Sequence, residues 1–193
     1  MLFRSDQWRR EHPELAARQR AWEAALAEPL GHWTVLDSVE WHSTPMKFEK
    51  QEDLSFLGGG DIKAEGMVRV WFETQLTNIT GFRLEAMTNA NLPFGGPGLE
   101  GNGTFQLAEF ELEATPLNDR SRTNRIRFRR AVADAESPEL PAGQAIDGET
   151  KKGGWGVNFP AGRRNLEHRL FLETAEPAGF AGGTRFQIGR AHV

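Results

Sequence analysis

The chain has no cysteine and no tyrosine. Without a thiol, its 193 residues hold no disulfide, no cysteine nucleophile, no iron–sulfur ligation and no covalently attached c-type haem. No apolar run approaches the roughly 18 residues that a membrane helix needs. Histidine is scarce, at positions 12, 32, 42, 168 and 192, with no two at a spacing that suits zinc or iron. No serine stands in a Gly-x-Ser-x-Gly context. The glycines at 95, 96, 98, 101 and 103 lack a Gly-Lys-Ser/Thr and precede a strand pattern, so they do not form a phosphate loop.

What is present is a globular composition, 38% hydrophobic and 26% charged, in a length that suits one domain of ordinary size with or without an appendage. Twenty-one glycines and thirteen phenylalanines favour many short strands joined by tight turns. The two ends carry a signal of a different kind. Met1-Leu2-Phe3-Arg4-Ser5 can be encoded by GTG CTC TTC CGA TCT, and Ile188-Gly189-Arg190-Ala191-His192-Val193 by ATC GGA AGA GCA CAC GTC. CTCTTCCGATCT is the reverse complement of AGATCGGAAGAG, the stem of a widely used sequencing adapter. The expectation is that 1–5 and 188–193 derive from the adapter and that 6–187 is the natural portion. Setting aside Arg4 and Arg190 takes the 23 basic residues to 21 against 27 acidic ones, a net charge of −6. That balance gives no general attraction to nucleic acid or to an anionic membrane.

Residues 6–29 read as an amphipathic helix, with Trp8, Leu15, Trp22 and Leu26 on one face, Pro13 in its first turn and Pro29 with Gly31 as the stop. It is either a surface helix of this domain or the tail of a preceding one. From His32 the period changes to two. Strands are expected from Trp33 and Val35, at Phe56-Leu57, and at Val68, Val70 and Phe72, which alternate with Arg69, Trp71 and Glu73. Others are expected over 79–86, 105–114, around Ile126 and Phe128, around Trp155, over 170–173 and over 185–188, with a Gly/Pro-rich loop at 92–104. This is an all-β pattern, a sandwich or jelly roll spanning 30–187.

Three features invite chemistry. Glu109, Glu111 and Glu113 alternate on one strand about 6.8 Å apart, between the carboxylate separations of retaining and inverting glycosidases. The plainer reading is a solvated face with Phe110 and Leu112 turned to the core. Arg125, Arg127 and Arg129 share a face opposite Ile126 and Phe128. They could pair with the glutamates across a sheet or, less readily, bind an anion. Trp155, close to Asp147, reads either as a sugar-stacking ring or as a core residue at a strand start. Asn78-Ile79-Thr80 and Asn102-Gly103-Thr104 match the glycosylation pattern.

The residues Ile79-Thr80-Gly81-Phe82-Arg83-Leu84-Glu85-Ala86, Leu92-Pro93, Gly95-Gly96-Pro97-Gly98, Asn102-Gly103 and Phe105-x-Leu107-x-Glu109-Phe110-Glu111 form one extended signature. Ala131-x-Ala133-Asp134, Ala145-Ile146-Asp147-Gly148, Gly154-Trp155, His168 and Gly182-Gly183-Thr184 follow in order. This pattern resembles the segment between two planctomycete-specific domains of unknown function in large planctomycete proteins with cytochrome-c-type domains. The Ala-Ile-Asp-Gly…Gly-Trp part is also similar to discoidin-type, galactose-binding-like modules. The resemblance implies a periplasmic or extracellular multidomain protein linked to polysaccharide use, with haem c in the parent chain and no cofactor or metal in these residues. It also implies a further C-terminal strand, whose loss would leave a sheet edge exposed.

The expected function is a non-catalytic accessory module that binds polysaccharide through Trp155, Asp147, Asn102 and Asn158, without nucleic acid and without membrane insertion. Two alternatives stand beside it. One is a structural spacer that docks flanking domains of the same chain, and the other is a jelly-roll glycoside hydrolase using Glu109 and Glu111.

Overall fold

Period-two segments rich in Phe, Val, Leu and Ile pair wherever a neighbouring strand is available, and the turns between them are set by Gly, Pro, Asn and Asp. The computed structural model describes residues 32–60, 66–158 and 165–192, with side chains through Gly189. The chain divides into two units, Met1–Val35 and Leu36–Val193. Of the first unit only 32–35 are described, so the helix expected at 6–29 lies outside the described residues. The architecture below belongs to the second unit.

It is all-β and antiparallel. A five-stranded sheet runs in the order β1 (Ser38–Thr44), β4 (Met67–Thr74), β12 (Thr184–His192), β7 (Glu111–Pro116) and β8 (Asn124–Arg125). A three-stranded sheet places β11 (His168–Ala178) between β5 (Ile79–Ala86) and β9 (Phe128–Ala133). The hairpin β2 (Met46–Lys50) with β3 (Phe56–Gly60), and the pair β10 (Trp155–Val157) with β6 (Phe105–Leu107), complete the described strands.

The two larger sheets pack face to face as a β-sandwich. Phe186 of β12 lies 5.7 Å from Phe72 of β4 and 5.3 Å, edge-on, from Phe82 of β5. Phe128 of β9 bridges Phe82 and Phe110. Leu112, Leu170, Leu172 and Phe186 are at most 1% exposed. Burial of a side chain of this size stabilises by about 1.5–3 kcal/mol, and this layer is where most of that gain is made. On β4, Val68, Val70 and Phe72 join this core, as their alternation predicts.

Two expectations are corrected. Trp33 and Val35 do not start a strand: residues 32–37 have no regular structure and these two side chains are 45% and 71% exposed. Pairing begins at Ser38, opposite Phe72, near the end of β4, so earlier residues have little strand to bond to. The expected strand over 105–114 is two strands. It breaks at 108–110, where the Phe110 N–H leaves the ladder to donate to the Ala145 carbonyl at 2.7 Å. β6 then pairs with β10, whereas β7 joins β12 in another sheet. β12 is bonded on both sides, to β4 and β7, and runs on through residues 188–192, opposite β4 at Val68 and Met67.

Candidate functional site

Trp155 is 0% exposed, with its ring 4.8 Å from Phe105 and its Nε1–H donated to the Ala135 carbonyl at 3.0 Å. A ring with no solvent-facing side cannot stack on a sugar, so the ligand reading of Trp155 gives way to the core reading. Asp147 is exposed and its Oδ1 accepts the Glu149 N–H at 2.8 Å, the self-bond of a tight turn. Asn102 is spent similarly, its Oδ1 accepting both the N–H (3.2 Å) and the Oγ1–H (2.6 Å) of Thr104. Asn158 is exposed, and its backbone N–H donates to Ser137 Oγ at 2.7 Å. Each of Asp147, Asn102 and Asn158 thus has a local structural role. None of the four predicted residues lines the open groove of about 630 Å³ over the β2–β3 hairpin, which is bounded by Trp41, Phe48, Leu57 and Gly58.

Loop 92–104 is held rigidly by close backbone approaches. A Cβ at Gly98 would meet the Thr104 carbonyl at 1.9 Å, and Gly103 sits at φ +80°. The loop displays Phe94, 74% exposed at φ 53°.

The three glutamates part company. Glu111 and Glu113 face outward from β7, as the alternation predicts, while Leu112 and Ala114 are buried. Glu109 lies before the strand, at the break, and is turned inward at 1% exposure. Burial pushes its carboxyl up to about 7, helped by the nearby charges of Asp147 and Glu111 and opposed by the Gly148 N–H donated to Oε2 at 3.1 Å. A carboxyl closed off from solvent does not reach a glycosidic bond, and Glu111 accepts from Arg125 Nη2 at 2.8 Å. The two therefore do not form the acid–nucleophile pair that the spacing suggested. The arginine cluster does pair with carboxylates: Arg125 with Glu111, and Arg129 with Glu173 on β11. Among the described residues, no group of three or more His, Asp or Glu side chains is placed to hold a metal ion. No described helix is long and apolar enough to cross a membrane.

The residues that do converge lie on the outer face of the five-stranded sheet. The register brings Glu40, Trp71, Gln187, Glu113 and Arg125 into one row, each from a different strand. Trp71 is half-buried and donates its Nε1–H to Gln187 Oε1 at 2.8 Å. His42 stands edge-on to the indole, centroids 5.4 Å apart at 84°. Around this row Arg185 is bonded to Glu40 (2.5 Å) and Glu73 (2.9 Å). Sequence reasoning missed the row as a site. Its one local signal was a tryptophan on the polar phase of β4, between Arg69 and Glu73, where an aromatic ring has no core to enter. No family model, no curated protein and no solved structure matches this chain.

Proposed function

We propose that the chain is a non-catalytic accessory β-sandwich module that binds carbohydrate, and that it does so on the outer face of the five-stranded sheet. The observation that carries this reading is the central row, in which an indole, an amide and a carboxylate sit side by side on rigid strands. Sugar recognition asks for an aromatic surface for the C–H face of the ring and for donors and acceptors beside it for the hydroxyls. Strands position such groups better than loops do. The resemblance to segments of exported cytochrome-c-type multidomain proteins supports a periplasmic or extracellular setting, with the haem outside these residues.

The test is retention of the full chain in native gels that contain soluble polysaccharides. Trp71→Ala is expected to lower affinity at least about tenfold, the equivalent of about 1.4 kcal/mol of stacking. Retention unchanged by Trp71→Ala would remove this face from the site. Retention by no polysaccharide at all would favour the spacer role.

A further inference from the structure

The charges on the outer face narrow the class of glycan, an inference that rests on the carbohydrate reading above. Of the carboxylates of Glu40, Glu73, Glu111 and Glu113, the first three are bound to the guanidiniums of Arg120, Arg125 and Arg185, whereas Glu113 and, one row away, Arg69 have no ion pair among the described residues. Most are already engaged with one another. Arg185 holds Glu40 and Glu73, Arg120 reaches Glu73 at 3.9 Å, and Arg125 is bound to Glu111. A uronate or sulfated chain needs guanidinium or ammonium groups free to fork onto its anions. Here the centre of the row offers the opposite: Glu113 stands beside Gln187 and has no ion pair among the described residues.

The hydrogen-bonding groups point the same way. The indole N–H is only a donor, so the Gln187 amide presents its oxygen to Trp71, and its NH₂ has no hydrogen-bond partner among the described residues. That donor next to the Glu113 acceptor suits a sugar hydroxyl, which both accepts and donates. Five strands at about 4.8 Å spacing make a row about 19 Å across, enough for a length of chain rather than one ring.

We infer that this face takes an uncharged polysaccharide, with Trp71 against a ring and the Gln187–Glu113 pair on its hydroxyls, and that it excludes uronate and sulfated chains. The test compares retention of the full chain in gels of galactomannan, xyloglucan and mixed-linkage glucan with gels of alginate, polygalacturonate and carrageenan. Each is run at about 0.05 M and about 0.5 M sodium chloride, conditions that separate screened from unscreened charge contacts.

The expected result is retention by at least one uncharged polymer, unchanged by salt, reduced at least about tenfold by Trp71→Ala and several-fold by Gln187→Ala. Trp71→Phe keeps a smaller ring and is expected to retain part of the affinity, which separates loss of the ring from loss of the fold. Retention by an anionic polymer that depends on Trp71 and weakens with salt would overturn the uncharged class while leaving the carbohydrate reading intact. If no polymer shows retention that depends on Trp71, both fall.

Discussion

Two places on this molecule set a tryptophan near glutamates, and they behave in opposite ways. In the inner one, around the break at 108–110, Trp155 and the Glu109 carboxyl are both closed off from solvent, and Glu109 has one backbone N–H as its partner. In the outer one, Trp71 lies on a sheet face where Glu40, Glu73 and Glu111 are all bonded to arginines. Residue types are nearly the same in the two places, so they do not separate a core from a recognition surface. What separates them is which side of a sheet the backbone turns them to. Burial raises the cost of charge inside and leaves outside charges inexpensive, screened and of small individual value.

The contrast can be broken most forcefully at Trp155. Its ring fills the space beside Phe105, so Trp155→Ala is expected to cost about 3–5 kcal/mol, read as a lowered urea midpoint. A loss below about 1 kcal/mol would mean that the ring is not part of the core.

Glu109→Gln sharpens the contrast through pH. The native carboxyl keeps its proton up to about 7, whereas the unfolded one loses it near 4.5. Below the lower value both states are protonated and the group contributes nothing. Between the two, the native state holds a proton that the unfolded state has released, so stability falls as pH rises, and the loss persists above 7. Glu109→Gln is expected to be neutral at about pH 4 and stabilising by on the order of 1–2 kcal/mol at about pH 8, a fraction of the full shift because the loop can admit water. Denaturation curves at both pH values check this. Equal effects at the two would show that Glu109 does not titrate abnormally.

The smallest effects belong to the outer face. Arg125→Ala, which frees Glu111, is expected to cost at most about 0.5 kcal/mol and less in high salt, because Arg125 is largely exposed. A loss above about 2 kcal/mol would make the outer face a structural network rather than a solvated surface.

Much of the fold was legible along the chain. The alternation at 79–86 coincides with β5, and Val68, Val70 and Phe72 turn to the core as read. Phe56-Leu57 before the glycines is β3. The strand at 105–114 misled because its pattern of Phe105, Leu107, Glu109, Glu111 and Glu113 is continuous, and nothing local shows that the Phe110 N–H bonds to a short 3-10 helix 35 residues later. The site was less legible. Asp147 and Asn102 carry the polar side chains that a ligand site would use, but the same side chains close turns, a role that needs only their own neighbours. Trp71 was visible as an aromatic on a polar phase, without its partners.

By itself, the sequence determined the all-β class, most strand positions and the inward or outward phase of β4, β5 and β7, because side chains alternate with a period of two and hydrophobic burial selects one face. The tertiary structure decided which strands are neighbours. The row of Glu40, Trp71, Gln187, Glu113 and Arg125 draws on residues up to 147 positions apart in the chain. Likewise, whether a given glutamate is buried at 109 or paired at 111 depends on where the backbone leaves one sheet for another. Both follow from long-range pairing and its register, for which a local pattern carries no coordinate.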